Sequence, residues 1–263
     1  MSPLIAKPST GPRKALGRQS RANGVAAPVN PNVRFKMKKP DFYRSCDIIE
    51  FIDGDDAEGL ALAELFKKNG VRYILKRAQD YSSIEELFES FTNSILSRNA
   101  AARSNGEPLY APELHLSCHG NKSGIGWKEG SLVPWKNLAD LLRSYSWKIG
   151  YFSEPQKNGA FAQATSLISL SLSCCSGAHA APEFYSKEPY PVGGFLAPSD
   201  TIYIDDCAEF NLRLYTLQLN DPWQMPEKVR EIHREFMPSG PTGDVPFQCF
   251  PAPLSANPNY SRS

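Results

Sequence analysis

Cysteine and histidine residues follow two apolar stretches of the sequence, and these residue types together can carry out nucleophilic catalysis. The stretch LHLSCHG ends in His119 and Gly120, and the stretch SLISLSLSCC ends in Cys174 and Cys175, so that 56 positions separate His119 from Cys175. A thiolate attacks a carbonyl carbon, and a nearby imidazole can take up the thiol proton and later deliver it to a leaving amine. Backbone N–H groups at Gly120 and Cys175 can donate hydrogen bonds to the oxyanion that forms.

The cysteine doublet ends a stretch in which small polar and apolar residues alternate strictly. In a strand, such alternation places successive side chains on opposite faces of the sheet. One face then carries Ile168, Leu170, Leu172 and Cys174, and the other carries Ser169, Ser171, Ser173 and Cys175. Cys174 continues the leucine side, so we predict that it is a small buried residue and that Cys175 is the nucleophile. A register shifted by one residue would exchange these two roles.

The surrounding sequence alternates between patterns typical of strands and patterns typical of helices. We predict strands at residues 46–52, 71–77, 113–120, 166–174 and 201–206. We predict helices at residues 56–70, 82–98, 133–145, 208–219 and 226–236. This alternation favours an α/β fold, a three-layer α/β/α sandwich with a mostly parallel central sheet. Sites in such sheets form beyond the carboxyl ends of the strands, which is where His119 and Cys175 are found.

The composition of the chain changes towards both ends. Residues 1–40 contain nine Lys and Arg residues and no acidic residue, which leaves 20 basic and 28 acidic residues in the rest of the chain. Because this segment also has few apolar residues, we predict a flexible basic arm. An organelle transit peptide, a nucleic-acid tether and an arm that folds back on the acidic body are alternatives. We predict one domain at 41–220, and at 221–263 a C-terminal helix with a proline-rich tail that packs on the domain and is irregular from residue 238.

Composition also limits the class of protein. Hydrophobic residues make up 41% of the 263 residues, which is enough for a globular core. The sequence has no apolar run of about 18 residues and no apolar stretch typical of a secretory signal, so we predict a soluble, cytoplasmic protein without a membrane partner. Its six cysteines lack CxxC spacing and are predicted to be reduced. No pattern indicates a cofactor, and we expect none.

Three segments resemble the caspase-like cysteine peptidases of clan CD, and most closely their CHAT branch, whose domains are often attached to tetratricopeptide repeats. These segments are LHLSCHG, GIGWKEGSLVPWKNLADLL and SLISLSLSCCSG. In that family one strand ends in a catalytic His-Gly pair, and roughly fifty to sixty residues later a second strand ends in a small residue and the catalytic cysteine. The segment YPVGGFLAPSDTIYIDDCAEFNLRLYTLQL is similar to the strand and helix after the family's cysteine, so the resemblance covers residues 44–220.

The resemblance implies a caspase-like fold and a cysteine endopeptidase that cleaves a protein substrate. Carried over to this sequence, it implies a catalytic dyad of His119 and Cys175, with oxyanion donors in the backbone of Gly120 and Cys175. Family members commonly need an attached sensor to become active. Because no tetratricopeptide repeats accompany this domain, we predict regulation by a separate protein supplied in trans or by the tails of the chain.

Acidic residues near predicted strand ends favour substrates with a basic residue before the cleaved bond. The resemblance implies a specificity pocket formed near the ends of the first strand and of the strand that carries the cysteine. Asp53 follows the first predicted strand, and Asp205 and Asp206 end the fifth. We predict that these three carboxylates bind substrate, with Asp53 as the main determinant. As an alternative, Asp205 and Asp206 cap the following helix, as Asp55 and Asp56 do for an earlier one.

A zinc site is an alternative, because thiolates and imidazoles are the usual ligands of zinc. The candidate ligands are His115, Cys118, His119, Cys174, Cys175 and His179. Strand alternation places Cys118 and Cys174 on the face opposite His115 and His119, which argues against a tetrahedral site. We therefore predict no metal site.

Two non-enzymatic functions also remain open. A non-catalytic caspase-like scaffold would use the domain as an interaction module, but the presence of both His119 and Cys175 argues against it. A nucleic-acid binder would use the basic arm. Because Phe35 is the arm's single aromatic residue and the body is acidic, we do not expect nucleic acid as a partner.

Overall fold

The computed structural model describes most of the predicted domain and part of the C-terminal segment. The described residues are 43–51, 58–77, 84–107, 110–126, 132–149, 151–152, 165–220 and 225–251. The basic arm predicted at 1–40 and the last part of the predicted tail, 252–263, lie outside the described residues. Asp53, Asp55 and Asp56 also lie outside them.

Strands and helices alternate along the described chain, as the sequence pattern predicts. The strands are β1 (Tyr43–Glu50), β2 (Arg72–Arg77), β3 (Tyr110–Ser117), β4 (His119–Asn121), β5 (Gly124–Gly126), β6 (Leu132–Pro134), β7 (Tyr151–Phe152), β8 (Thr165–Ser166), β9 (Ser169–Ser173), β10 (Gly194–Pro198), β11 (Ser239–Gly240), β12 (Gly243–Asp244) and β13 (Phe247–Pro251). The helices are α1 (Glu58–Lys68), α2 (Ile84–Asn105), α3 (Trp135–Ile149), α4 (Ala181–Phe184), α5 (Ile204–Asn220) and α6 (Met225–Glu235), and a short 3-10 helix at Gly177–Ala180 precedes α4. Of the helices in these ranges, none combines the length and the hydropathy needed to cross a bilayer.

The central sheet contains six strands in the order β13-β10-β9-β3-β1-β2. The strands from β10 to β2 in this order run parallel to one another, and β13 pairs antiparallel with β10. Among the described residues, three smaller sheets lie outside it, and one of them joins β4, β5 and β6. The fold is thus mixed α/β with a mostly parallel central sheet.

Helices cover both faces of this sheet. One face, here called the leucine face, is formed in β3 and β9 by Leu114, Leu116, Leu170 and Leu172, which pack in one apolar cluster with α2, α3 and α4. The opposite face of the same strands, here called the serine face, carries His115, Ser117, Ser171 and Ser173, which contact α1 and α5. Two further clusters join α1, α5 and α6 to the sheet. The arrangement is compatible with a three-layer α/β/α sandwich.

The fifth parallel strand differs from the prediction. We expected it at 201–206, but β10 is Gly194–Pro198, and residues 201–203 are irregular. β10 begins with glycine and ends with proline, which both disfavour strands, so the sequence signal for this strand is weak. Asp205 and Asp206 lie in the first turn of α5, where acidic side chains stabilise a helix. The prediction of a strand at 201–206 is therefore wrong.

The C-terminal segment is more regular than predicted. After α6, β11 and β12 pair with each other, and β13 forms an edge strand of the central sheet. Proline is tolerated in an edge strand, and Pro251 is the last residue of β13. The prediction of irregular chain from residue 238 is therefore wrong for the described part of this segment.

Candidate active site

The carboxyl ends of β3 and β9 lie next to each other in the sheet. Ser117 pairs with Ser173. The Cys118 amide donates a hydrogen bond to the Ser173 carbonyl oxygen at 3.0 Å, which extends the pairing by one residue beyond the strands and brings Cys118 beside Cys174. The histidine and cysteine segments therefore leave the sheet at the same end.

The two cysteines of the doublet lie on different sides of the sheet. Cys174 is 2% exposed and belongs to the apolar cluster of the leucine face. Cys175 is half-buried and packs against the cluster that contains Leu196 and Phe210. The predicted division of the doublet between the two faces is confirmed.

Gly120 brings the histidine segment into contact with the cysteine segment. A Cβ atom at this position would lie 2.7 Å from the Cys175 carbonyl oxygen and 3.1 Å from the Cys174 Cβ atom. The backbone of β4 therefore packs directly on the backbone of the cysteine segment at Cys175, and only glycine leaves room for this approach. His119 immediately precedes the contact, and its side chain is exposed. Both predicted dyad residues are thus found in one small region.

The Cys175 thiol contacts a backbone carbonyl. Among the described residues its hydrogen-bond acceptor is the Ile202 carbonyl oxygen, 3.6 Å from Sγ, and not the His119 imidazole. Burial raises the pKa of the Cys175 thiol, and the neighbouring Cys174 and Asp200 raise it further. The thiol is therefore neutral at pH 7, and a base must remove its proton before it can attack a carbonyl carbon.

A tight turn holds the cysteine segment after β9. Ser176 has φ 56° and ψ 24°, which is a left-handed conformation that costs a non-glycine residue on the order of 1 kcal/mol. Its amide donates to the Asp200 carbonyl oxygen at 2.9 Å, and the Gly177 amide donates to the Cys174 carbonyl oxygen at 3.3 Å. These bonds hold the strained turn between the ends of β9 and β10, so that Cys175 lies beyond the edge of the sheet.

Asp200 is an acidic residue near the thiol that the sequence analysis did not identify. It follows the carboxyl end of β10 by two residues, and its charge raises the pKa of Cys175. Its Oδ1 atom accepts a hydrogen bond from the Thr201 amide at 2.8 Å. Asp200 was not predicted because the fifth strand was predicted at 201–206. With that strand, Asp200 would come before the strand and not beyond its carboxyl end.

The three acidic residues predicted to bind substrate differ in their surroundings, and one of them lies outside the described residues. Asp53 lies outside the described residues, and Asp205 is exposed in the first turn of α5. Asp206 accepts hydrogen bonds from both the amide and the hydroxyl of Ser239, at 2.7 Å and 2.5 Å. The Asp206 carboxylate therefore joins α5 to β11, which is a structural role.

A buried group of polar side chains on the serine face was also not predicted from the sequence. Glu58 Oε2 accepts hydrogen bonds from the hydroxyls of Ser117, at 3.1 Å, and Ser173. His115 Nε2 lies 3.4 Å from Glu58 Oε1 without the alignment of a hydrogen bond, and His115 Nδ1 lies 3.2 Å from the Tyr215 hydroxyl. The sequence signal for these residues was the polar alternation of β3 and β9, although nothing in it identified Glu58 as their partner.

The residues considered as zinc ligands are dispersed. Cys118 and Cys174 are buried on the leucine face, His115 is buried on the serine face, and His119 and His179 are exposed. Within the described ranges, no three His, Cys, Asp or Glu side chains are grouped so that they could hold a metal ion. These positions give the zinc alternative no support.

No protein-family model and no curated protein matches this sequence. The functional assignment therefore depends on the residues and the geometry described above.

Proposed function

We propose that this protein is a cysteine endopeptidase with a caspase-like fold of the CHAT type, which cleaves a protein substrate with Cys175 as nucleophile and His119 as general base. The observation that carries the proposal is the packing of Gly120 on the Cys175 backbone, with 2.7 Å between a Cβ position at Gly120 and the Cys175 carbonyl oxygen. This contact joins two segments that are 56 residues apart in the sequence and whose residue types suit the chemistry. Their place beyond the carboxyl ends of neighbouring parallel strands supports the same assignment.

The reaction proceeds through a thioester. His119 takes the proton of the Cys175 thiol, and the sulfur attacks the carbonyl carbon of the scissile peptide bond. The resulting oxyanion accepts hydrogen bonds from the N–H groups of Gly120 and Cys175. As the C–N bond breaks, the imidazolium gives its proton to the leaving amine. The imidazole then deprotonates a water molecule that attacks the thioester, which releases the carboxylic acid and restores the thiol.

The surface next to the thiol suits a peptide substrate. Ile202, whose carbonyl contacts the thiol, is followed by Tyr203 and Ile204, which are 52% and 39% exposed and offer apolar surface to an extended chain. The negative charge of Asp200 also acts on the thiol. A negative charge at this place favours Lys or Arg before the cleaved bond.

The resting state of the thiol fits an enzyme that a separate protein activates. The neutral thiol contacts the Ile202 carbonyl, and an activator supplied in trans would act by bringing the Cys175 side chain and His119 together. Catalytic hydrogen bonds are often long or absent without substrate and form in the complex. Binding of the activator or of the substrate therefore assembles the dyad.

Labelling with an electrophilic peptide probe that ends in Lys or Arg tests the proposal. By intact mass, we expect one adduct in the wild type and in Cys174→Ala and none in Cys175→Ala. In His119→Ala we expect labelling slower by about 100-fold, because the general base is lost. A matched probe that ends in Asp is the control for the basic preference, and faster labelling by it would refute that preference. Adducts that persist in Cys175→Ala and vanish in Cys174→Ala would assign the nucleophile to Cys174.

A non-catalytic scaffold is the second candidate, favoured by the contact of the Cys175 thiol with a carbonyl in place of the imidazole. For a scaffold, we expect no probe adduct in any variant. We also expect a small alkylating reagent to modify Cys175 equally fast in the wild type and in His119→Ala. An effect of His119 on the alkylation rate would exclude this candidate, because a scaffold needs no coupling between the two side chains.

A further inference from the structure

One buried carboxylate lies between the two strand ends and has no part in the reaction above. Glu58, the first residue of α1, is 3% exposed. The hydroxyls that donate to its Oε2 atom belong to Ser117 and Ser173, the last residues of β3 and β9. Ser117 precedes His119 by two residues, and Ser173 precedes Cys175 by two residues. A single oxygen atom therefore contacts both strands that lead to the proposed dyad, at the same distance along the chain from each dyad residue.

Helix α5 extends this group to a third element. The Ser173 hydroxyl lies 3.0 Å from Cys207 Sγ, and the Asn211 side-chain amide donates to the same hydroxyl at 3.4 Å. The Ser171 hydroxyl donates to Asn211 Oδ1 at 3.4 Å. The position of Ser173 is thus defined from two sides, by Glu58 of α1 and by α5.

Glu58 carries its charge in the folded state in spite of its burial. Burial by itself raises the pKa of this carboxyl, but the His115 imidazole and the hydrogen bonds from Ser173 and Ser117 outweigh burial, so the pKa lies below its usual range. A buried ion pair can often be replaced by apolar residues of similar volume without loss of stability. What a carboxylate provides, and an apolar side chain does not, is directional bonding to two strand ends at once.

We infer that Glu58 is a positioning residue that fixes the carboxyl ends of β3 and β9 relative to each other and thereby aligns His119 with Cys175. The catalytic part of this inference rests on the proposed function, whereas the fixing of the strand ends is a property of the fold alone. Small displacements of a catalytic group strongly reduce rates, so a role of this kind has a measurable effect on catalysis.

The kinetic test compares Glu58→Gln with Asp47→Asn in two backgrounds, using the rate of labelling by the Lys or Arg probe. Asp47 is the matched control, because it is also a buried acid of the sheet region but bonds to Arg98 of α2. We expect Glu58→Gln to slow labelling about tenfold and Asp47→Asn to leave the rate within about twofold. In the His119→Ala background we expect no further effect of Glu58→Gln, since alignment with a missing imidazole has no value.

Amide hydrogen exchange provides a readout that does not need activity. The Cys118 amide, which bonds to the Ser173 carbonyl across the strand ends, is the reporter. We expect its exchange to become faster in Glu58→Gln and to stay unchanged in Asp47→Asn, because local opening follows the contacts that hold each region. If Glu58→Gln does not fold, Ser173→Ala removes one of the two bonds and is measured in the same way.

The possible outcomes separate this inference from the proposed function. Faster exchange together with a rate loss that depends on His119 supports both. Unchanged exchange, or a rate loss of equal size with and without His119, overturns the positioning role and leaves the peptidase assignment intact. If the wild type is not labelled at Cys175, the proposed function fails, and the exchange at Cys118 alone decides whether Glu58 fixes the strand ends.

Discussion

The leucine face and the serine face of the central sheet are formed by the same strands, β3 and β9, but one buries apolar side chains and the other buries polar side chains. Leu114, Leu116, Leu170 and Leu172 are buried on one face, and His115, Ser117, Ser171 and Ser173 are equally buried on the other. Apolar packing tolerates exchanges of similar volume, whereas buried polar groups need partners in defined directions. We conclude that the leucine face supplies most of the stability of this region and that the serine face determines its geometry.

The cysteine doublet continues both faces beyond the end of β9. Cys174 extends the leucine face and is buried beside Cys118, and Cys175 leaves the sheet on the side of α5. Cys175, the proposed nucleophile, therefore continues the serine face. Cys174 anchors the turn in the apolar core. Four predictions test this difference between the faces.

The largest expected effect is on stability, in a comparison of adjacent residues of β9. We expect Leu172→Ala to lower the free energy of unfolding by about 3 kcal/mol, because it removes buried apolar surface and leaves a cavity. For Ser171→Ala we expect a loss of about 1 kcal/mol or less, since its hydrogen bond to Asn211 is removed. Urea unfolding of both variants measures the difference. Equal losses would show that the two faces contribute alike.

The second prediction concerns pH, because the two faces each contain a buried acid. Burial raises the pKa of Asp47, on the side of α2, from 3.8 to about 6, although Arg98 and Lys76 act in the opposite direction. The folded state then holds this proton more tightly than the unfolded state does. The stabilisation by protonated Asp47 is complete below about pH 4 and is lost as the pH rises to about 6, by up to about 3 kcal/mol.

Glu58 on the serine face is expected to show the opposite sign. Its pKa is lowered, against the effect of burial, by His115, Ser173 and Ser117, so its contribution is present above the unfolded-state pKa and is lost as the pH falls through the folded-state pKa. Urea unfolding between pH 3 and pH 7 measures both effects. Asp47→Asn should remove the decrease in the free energy of unfolding between about pH 4 and 6. Glu58→Gln should remove part of the decrease in the free energy of unfolding that occurs as the pH falls into the acid range. A variant that leaves its pH interval unchanged would contradict the assignment for that residue.

The third prediction concerns the contact between the histidine and cysteine segments. We expect Gly120→Ala to cost about 2 kcal/mol of stability and to reduce probe labelling by at least about tenfold, because the new Cβ atom overlaps the Cys175 carbonyl oxygen. Gly194→Ala is the control, since its Cβ atom would meet its nearest neighbour, the Phe250 oxygen, at an ordinary 3.5 Å. Normal labelling of Gly120→Ala would mean that the close packing of β4 is not needed for the site.

Local patterns predicted much of this fold and part of the site. The helix predicted at 82–98 and the strand predicted at 166–174 correspond to α2 and β9, because both patterns follow from the faces that these elements bury. The same alternation separated Cys174 from Cys175. β10 was misplaced because glycine and proline end a five-residue strand, whose stability comes from its neighbours β9 and β13.

The polar residues that surround the site were harder to predict, because they are joined through space. Glu58 is 59 positions from Ser117 and 115 positions from Ser173, and no local pattern connects such residues. Asp200 was not predicted for a different reason. Its position beyond a strand end can be recognised only when the end of β10 is known. Long-range partners of this kind become visible only when the register of the sheet is known.

The smallest expected effect is on the reactivity of the thiols. Contact with Cys118 and burial raise the pKa of Cys174 well above its usual range, and burial raises that of Cys249 to about 12. The pKa of Cys175 is raised as well, chiefly by burial. We therefore expect iodoacetamide to modify Cys175 a few-fold more slowly than a free cysteine, whose pKa is about 8.5. Its rate should rise with pH without a plateau in acid, and Cys174 and Cys249 should react still more slowly, as peptide mass spectrometry of the folded protein can measure. A plateau in acid would reveal a preformed thiolate beside the imidazolium of His119, whereas modification of Cys174 would show that the leucine face opens next to the site.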